Sequence, residues 1–517
     1  MGLAAHSFLY ESLLRDLQRR QKRADPSLLA FVEKTAWAAY HAHSGRFADG
    51  ALENVALRMG MQLTDSDLVL PAAKNGDRGT KSRTLHVVSE VAPTGGHSRI
   101  LTKWIQRDLS SSHAIVITRQ KDRLPEFLQR IWVEREAVVT LLNPNDSLSD
   151  RARRLRSIST GFDRVILHQH PDDSVPVLAY AKPGGCPVVM FNHAHFWFSM
   201  GSTVSDLIVN TMPYFQGVTQ RHRFPRATAL LSGWPGLEPL RWGDIDKNAA
   251  KERLGLPANQ PVVLTIASAH YFKPMADYDF FRTAAKLLDR KRELHLLVVG
   301  VPADSLLVPE KLKQNQRLHL LGPVVDPRPY YQAADVSLES FPMSSMGGFC
   351  ETVAYGEAFP VPTYGPGENI LRLNQRIFDQ HSRRAETEEE YLTDICALLE
   401  SKSSTREKAA MIRKVIIGED ALFGDQFSSL YRRIDALRHK PGEIPATDCC
   451  DEEDNRLLAL LDPQPIGRVL EQLLPLRPAL VAHAQAVARG HEPVHEAVGR
   501  IGRRFLRSVF TKPVSVY

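Results

Sequence analysis

From residue 1 to about 65 the apolar positions recur at helical spacing. Phe8, Leu9, Leu13, Leu14 and Leu17 share one face, and Leu28, Leu29, Phe31, Val32 and Ala36 share another, with no strand-like alternation between them. An all-helical domain over 1–65 is expected. Residues 66–83 carry Pro71, Gly76, Asp77 and Gly79 and read as a linker. From Thr84 the pattern changes to short apolar, β-branched runs alternating with helical segments. The runs are Leu85-His86-Val87-Val88, Ala114-Ile115-Val116-Ile117, Val165-Ile166-Leu167, Pro187-Val188-Val189-Met190 and Leu207-Ile208-Val209. Such alternation predicts βαβ units and a parallel sheet. The rhythm breaks near Trp234-Pro235-Gly236 and restarts with Val262 to Ile266, Leu294 to Val299, Leu318 to Leu321, Val336-Ser337-Leu338 and Pro360-Val361-Pro362. The expected fold class is therefore α/β, with two Rossmann-like parallel-sheet domains over 84–240 and 241–418. A ligand is expected beyond the carboxyl ends of the strands, in a cleft between the domains. An amphipathic helix at Phe427 to Leu437 dominates 419–440. A helical extension over 441–517 holds the acidic run Asp448 to Asp454 and a basic tail, Arg500-Ile501-Gly502-Arg503-Arg504-Phe505-Leu506-Arg507.

Composition changes this picture little. The 517 residues are 43% hydrophobic and 24% charged, an ordinary balance for soluble globular chains of two to four domains. The net charge of +6 is spread along the chain, which argues against nucleic acid and suits an anionic small ligand or an anionic membrane surface. The five cysteines, Cys186, Cys350, Cys396, Cys449 and Cys450, show no zinc-like spacing, and the adjacent pair is poorly shaped for a bridge. Reduced thiols and a cytoplasmic location are expected. No apolar run reaches the roughly 18 residues of a spanning helix. Glu11, Arg15 and Asp16 interrupt the only apolar stretch that a signal peptide could use.

Four constellations carry candidate chemistry. The first is Ser89-Glu90-Val91-Ala92-Pro93-Thr94-Gly95-Gly96-His97-Ser98-Arg99, directly after the first predicted strand. Gly95 and Gly96 allow a sharp turn and bring bare backbone toward a ligand. His97 exchanges protons near neutral pH and is the first candidate for a base. The plain alternative is a strand-to-helix turn. The second is the pair His168-Gln169-His170-Pro171 and Phe191-Asn192-His193-Ala194-His195. His168, His170, His193 and His195 follow strands, so polar contacts to a sugar or acceptor are expected. No acidic or cysteine partner has metal-ligand spacing, so no metal is expected. Structural histidines are the alternative. The third is Ala267-Ser268-Ala269-His270-Tyr271-Phe272-Lys273-Pro274, where Lys273 stands at a strand end and can meet a phosphate as a point charge. The fourth runs from Ala334 to Val361: a strand, the turn Ser344-Ser345-Met346-Gly347-Gly348, a helix containing Glu351, and another strand. Orphan amides at that helix N-terminus make an anion site, with hydroxyl donors from Ser344 and Ser345. Glu351, one turn in, is placed to accept from a ribose or sugar hydroxyl.

The second half resembles the donor domain of GT-B glycosyltransferases, notably the retaining family 4. The residues that carry the likeness are Lys273, Leu297-Val298-Val299-Gly300, Leu321-Gly322-Pro323-Val324, Tyr330-Tyr331-Gln332-Ala333-Ala334-Asp335-Val336 and Glu351 to Val361. The first half resembles the matching acceptor domain, and Phe427 to Leu437 looks like the helix that crosses back between domains. The likeness spans roughly residues 84 to 438. Family 4 usually has a glutamate eight positions before Glu351, and here Met343 stands there. The string Leu338-Glu339-Ser340-Phe341-Pro342 through Cys350-Glu351 is closer to the O-GlcNAc transferase family (family 41), whose members invert the anomeric centre and modify proteins. The Thr pair of that family is replaced here by Gly347 and Gly348, so the backbone contacts are what carries over.

This resemblance implies a metal-independent glycosyltransferase with no cofactor, taking a nucleotide-diphosphate sugar as donor. Its binding set is Gly95, Gly96, Lys273, Pro323, Val324, Ser344, Ser345, Met346, Gly347, Gly348 and Glu351, and its catalytic set His97, Lys273 and Glu351. A protein or a lipid-linked or polysaccharide glycan is the expected acceptor. Peripheral membrane contact through the basic C-terminal helix and homo-oligomerisation are further expectations. A non-catalytic nucleotide-sugar-binding or glycan-assembly protein on the same fold is the alternative.

Overall fold

The computed structural model describes residues 2–64, 81–92, 96–195, 197–211, 213–231, 246–274, 277–324, 326–345, 347–364 and 385–447. The chain divides into two compact units. The first comprises Met1–Ala92, Asp108–Leu231 and Gln426–Tyr517, and the second Pro93–Arg107 and Ser232–Asp425.

In the first unit, helices α1 (Gly2–Lys22), α2 (Leu28–His41) and α3 (Gly50–Gln62) precede the strands β1 (Ser82–Val88), β2 (Ser111–Ile117), β3 (Val138–Leu141), β4 (Arg164–His168), β5 (Val188–Phe191), β6 (Leu207–Asn210) and β7 (Thr228–Leu230). These strands form one sheet in the order β3-β2-β1-β4-β5-β6-β7, with every pairing parallel. Strands β4, β5 and β6 are buried throughout. That is why they read as continuous apolar runs rather than alternating ones: helices cover both faces of a parallel sheet.

The N-terminal helices do not form the separate domain expected from their periodicity. Tyr10, Leu17, Phe31, Val32, Leu52, Val55 and Leu57 share one apolar core with Leu85, Val87, Val165, Leu167 and Leu178 of the sheet unit. Close backbone approach fastens the junction. A Cβ on Gly60 would lie 2.6 Å from the Leu178 carbonyl oxygen, and one on Gly50 2.0 Å from that of Ile444. Buried Glu53 accepts from the amides of Gly201 (2.9 Å) and Thr203 (2.7 Å) and from the Thr203 hydroxyl. Asn54 exchanges two hydrogen bonds with the Ile444 backbone. Helical periodicity reports that a face is buried, not what buries it.

A row of imidazoles crosses the interior of this sheet. His113 Nε2 lies 3.1 Å from the Asp108 carbonyl oxygen, His113 Nδ1 3.1 Å from His86 Nε2, and His86 Nδ1 3.0 Å from His168 Nε2. A carbonyl only accepts, so His113 carries its proton on Nε2 and accepts at Nδ1. A neutral ring has one donor and one acceptor, so His86 then donates from Nε2 and His168 donates from Nε2 to His86 Nδ1. Asp108 in turn accepts from the Tyr431 hydroxyl at 2.6 Å. Tyr431 belongs to the helix Phe427–Asp435, which Arg164 also holds through a two-pronged ion pair to Asp435 and its guanidinium 3.9 Å from the Tyr431 ring centroid.

The second unit holds α4 (Gly96–Arg107), which the sequence reading assigned to the first half. Trp104 of α4 packs on Phe423, with ring centroids 6.2 Å apart. Strands β8 (Val262–Ile266), β9 (His295–Val299), β10 (Leu318–Leu320), β11 (Val336–Leu338) and β12 (Phe359–Val361) form a parallel sheet ordered β10-β9-β8-β11-β12. The helix Arg328–Ala333 precedes β11 and the helix Gly347–Tyr355 follows it. At the amino end of β11, Asp335 accepts from Lys251 Nζ (2.7 Å) and the Val262 amide (2.9 Å). The conspicuous Ala334-Asp335-Val336 string is thus a brace at the foot of the sheet. Of the linker expected over 66–83, Ser82 and Arg83 belong to β1 and residues 66–80 lie outside the described residues, as do residues 448–517 of the extension expected over 441–517, including its basic tail. Among the described residues no helix is long and apolar enough to cross a membrane.

The buried histidines set a pH dependence. Burial, followed by the neighbouring imidazoles, holds His86 well below its usual value. Burial also lowers His113, and it brings His195 down to about 3. Each is neutral when folded and charged when unfolded in mild acid, so the unfolded chain binds more protons below about pH 6.5. Their contribution to stability is complete above that pH and falls as pH drops, while buried Glu33, pushed up to about 7, acts in the opposite sense. Each such group contributes up to about 1.4 kcal/mol per pH unit. Urea unfolding between pH 7.5 and 5 should show a steep loss beginning near 6.5; a flat profile down to pH 5 contradicts neutral buried histidines.

Candidate functional site

Strand order reverses between β8 and β11 in the second sheet, so the connections after these neighbours leave in opposite directions. Beyond β8 come Ala267, Ser268, the short 3-10 turn Ala269–Phe272 and exposed Lys273. Beyond β11 come buried Glu339 and Ser340. The Glu339 amide donates to the Val361 carbonyl (3.0 Å), and its carboxylate accepts from the Thr363 amide (3.0 Å). The Ser340 hydroxyl donates to the Met343 carbonyl and accepts from the Ser345 amide, both at 2.8 Å. The Met343 amide reaches across to the Tyr271 carbonyl at 3.2 Å, joining the two loops. The Ser345 hydroxyl oxygen is buried and makes no hydrogen bond among the described residues.

Two glycines open the helix Gly347–Tyr355, and they differ in function. A Cβ on Gly348 would stand 2.9 Å from the Ile266 carbonyl oxygen, whereas one on Gly347 meets nothing within 4 Å. Gly348 therefore lets the helix start against the end of β8, with its own amide donating to the Ser345 carbonyl at 2.9 Å, while the Gly347 position is open to a side chain. Gly300, at φ +97°, brings the end of β9 closer still: its Cβ would lie 2.2 Å from the Ala267 carbonyl oxygen. Its amide donates to Gly322 at 2.7 Å, and Pro323 (exposed) and Val324 (half-buried) follow.

Glu351 is more committed than the sequence suggested. Its Oε1 accepts from Arg99 at 2.6 Å and its Oε2 from the Tyr331 hydroxyl at 3.1 Å. Burial, then the Glu351 charge, raises the Tyr331 hydroxyl well above its usual value. Arg99 lies in α4, so this pair ties the helix begun by Gly96 and His97 to the helix begun by Gly347 and Gly348. His97, the second residue of α4, is half-buried. Ser344 is half-buried beside Ser345, and Gly95 and Met346 lie outside the described residues.

In the first unit the four expected histidines separate. His168 is fully buried in the imidazole row. His195 stacks on Phe215, with centroids 3.8 Å apart and its Nδ1 buried. His168 is thus enclosed in the sheet rather than free to meet a ligand, correcting that expectation, while His195 is half-buried against Phe215. His193 is half-buried, its Nδ1 3.4 Å from the Phe191 carbonyl. His170 joins a polar cluster at the ends of β1, β2 and β4 that the sequence reading missed. There Arg119 grips Asp172 with two 2.9 Å bonds, and Asp173 accepts from Ser89 and Thr118. Burial alone would raise Asp172, but Arg119 holds it below the usual carboxylate value. The pair Asp172-Asp173, two residues past His170, was the available signal. Among the described residues no group of three or more His, Cys, Asp or Glu is arranged to hold a metal ion.

No protein-family model and no curated protein matches the chain. Among solved structures it is similar to the O-GlcNAc transferase of Thermobaculum terrenum, at 15% identity over 83% of this chain and 82% of that one, with a TM-score of 0.48. It is also similar to HepE of Anabaena, crystallised with UDP and glucose, at 13% identity over 68% and 100%, with a TM-score of 0.49. A third is the UDP-GlcNAc 2-epimerase of Neisseria meningitidis bound to UDP-GlcNAc, at 13% identity over 68% and 100%, with a TM-score of 0.42. The fold is of GT-B type. The chain has two Rossmann-like parallel sheets, with a final helix returned to the first unit.

The two glycines give a direct check on this geometry. Gly348→Ala should cost about 1–3 kcal/mol, because Ile266 must move away from the new methyl group. Gly347→Ala should leave stability within about 0.5 kcal/mol or raise it, since the position is open and helical. Urea denaturation of both variants separates them; equal stability would mean that the helix does not start against β8.

Proposed function

We propose that the chain is a glycosyltransferase that binds the diphosphate of a nucleotide-diphosphate sugar at the reversal point of its second sheet. One observation carries this reading: the loops after β8 and β11 are joined there by the Met343–Tyr271 hydrogen bond, one leading to exposed Lys273 and the other to the start of the helix Gly347–Tyr355. Open parallel sheets bind ligands at such points. Two negative phosphates suit the helix start at Gly347, the dipole behind it, the Ser344 and Ser345 hydroxyls and the Lys273 ammonium. Fixed donors of this kind replace a divalent metal, so turnover is proposed to be metal-independent. Transfer is proposed to invert the anomeric centre, because Met343 stands where retaining relatives carry glutamate, with His97 as a candidate base. Acceptors of either class, protein or glycan, are compatible with this reading.

A second reading, a nucleotide-sugar-binding protein without turnover, is favoured by two features. Met343 replaces the glutamate, and both oxygens of Glu351 already accept from protein donors.

Thermal-shift measurements with uridine, guanosine and adenosine diphosphates and their sugars separate these readings from an unrelated function, since a ligand of the native state raises the melting temperature. Nucleoside diphosphate release then distinguishes enzyme from binder. Release should persist in EDTA. Lys273→Ala should slow it on the order of a hundredfold while changing donor affinity less, because charge grows on the leaving diphosphate. Wild-type rates in folded Lys273→Ala protein would mean that the phosphates bind elsewhere.

A further inference from the structure

Helix α2 buries one side in the core of the first unit and carries Glu33, Trp37, Tyr40 and His41 along another. Residues at i, i+4, i+7 and i+8 share one stripe of a helix, and all four side chains here are half-buried. The stripe runs along the carboxyl ends of β4 and β5. Glu33 Oε1 lies 3.4 Å from the hydroxyl of Ser174, in the loop after β4. Asp172 and His170 of the same loop act on the charge of His41 in opposite senses. Tyr40 meets Trp197 of the loop after β5 edge to face, with ring centroids 6.0 Å apart. Along the stripe, the His41 ring centroid lies 4.3 Å from that of Trp37 and 4.7 Å from that of Tyr40. The rings form a shelf beside the polar cluster of the β4 loop, and every residue of both belongs to the first unit.

Most of the charge in that cluster is locked. Asp173 accepts from Ser89 (2.6 Å), Thr118 and the Val175 amide (3.0 Å). Asp172 and Arg119 satisfy each other with two parallel 2.9 Å bonds. The rim is mixed in character. His170 Nδ1 and Glu90 Oε1 lie 3.3 Å apart, with 28% and 45% of their side chains exposed. Glu33 meets Ser174 only at the outer limit of a hydrogen bond. Asp172 and Asp173 face it from the β4 loop, Arg119 from the loop after β2, and Arg151 from the helix Leu148–Ser159.

This balance selects a kind of ligand. The carboxylates oppose an anion, and the two guanidinium groups oppose a cation. A neutral ligand meets neither objection. Burial lowers His41, so near neutral pH its ring has one donor and one acceptor. Glu33 and Glu90 add acceptors. A hydroxyl group likewise both donates and accepts, whereas aromatic rings gain most from apolar surface. A sugar ring supplies both, with hydroxyls at its edge and C–H groups on its faces.

We propose that this shelf binds a neutral carbohydrate, with a C–H face of one sugar ring toward Tyr40 and Trp197 and its hydroxyls toward Glu33, His41 and His170. The site is separate from the one proposed for the diphosphate, lies wholly in the first unit and requires no turnover.

The test titrates the full chain calorimetrically with maltotriose, cellotriose, mannotriose and triacetylchitotriose at millimolar concentration, beside trigalacturonate and spermidine as an anion and a cation. At least one neutral trisaccharide should bind saturably, and more tightly than either charged probe. Trp197→Ala should weaken it about tenfold through the lost ring contact, and Trp197→Phe, which keeps a ring, should recover most of that loss. Glu33→Ala should weaken it on the order of tenfold through the lost acceptor. Failure of all four neutral saccharides to bind would overturn the proposal. So would saccharide binding that is unchanged in both Trp197→Ala and Glu33→Ala, or a charged probe that binds more tightly than the neutral ones and is lost in these variants.

Discussion

The constraint on which the rest depends is the reversal of strand order in a parallel sheet. Where two neighbouring strands send their crossovers to opposite faces, no crossover passes over their carboxyl ends, and backbone groups there are left for a ligand. Each sheet has one such point, between β1 and β4 and between β8 and β11. The side chains found there differ in kind. The second sheet offers donors: a lysine, two serines and the amides of a helix start. The first offers carboxylates and imidazoles gathered around a single arginine. One set is rich in hydrogen-bond donors and the other in acceptors and titratable groups.

Close backbone approach holds these points in shape. At the second, glycine at 300 and 348 lets two neighbouring segments meet carbonyls of the β8 end at distances a side chain would forbid. At the first, hydroxyls of Ser89 and Thr118 fix Asp173 from adjacent strands. Burying a charge is costly unless it is hydrogen-bonded, so each buried carboxylate here comes with its donors: Asp173 with hydroxyls, Asp172 with Arg119, Glu351 with Arg99 and Tyr331. Such pairs orient the elements that carry them, and the Arg99–Glu351 pair is what aligns α4 with the helix Gly347–Tyr355.

Much of the fold was legible because both sheets are buried on two faces, and their strands therefore appear as bare apolar runs. That Lys273 and the Ser344-to-Gly348 segment come after β8 and β11 was legible from the same runs. What stayed hidden depends on distance along the chain. Arg99 and Glu351 are 252 residues apart, and nothing in α4's own spacing says that its apolar face meets Phe423. His168 resembles a strand-end ligand until β1 and β2 supply His86 and His113 to its row. Glu33 reads as one more polar position on an amphipathic helix until the sheet folds against it. Periodicity identified α1 to α3 as helices, while their shared core with Leu85 and Val165 required the folded chain.

The central claim, that the reversal point of the second sheet binds a nucleotide diphosphate, is tested most directly by hydrogen exchange of the full-length protein with and without saturating nucleoside diphosphate. Amides in the two loops 267–274 and 340–349 should gain protection together, because the phosphates occupy the helix start and the loops share the Met343–Tyr271 bond. Binding that leaves both loops unprotected, or protects only segments remote from the β8 and β11 ends, would contradict the account.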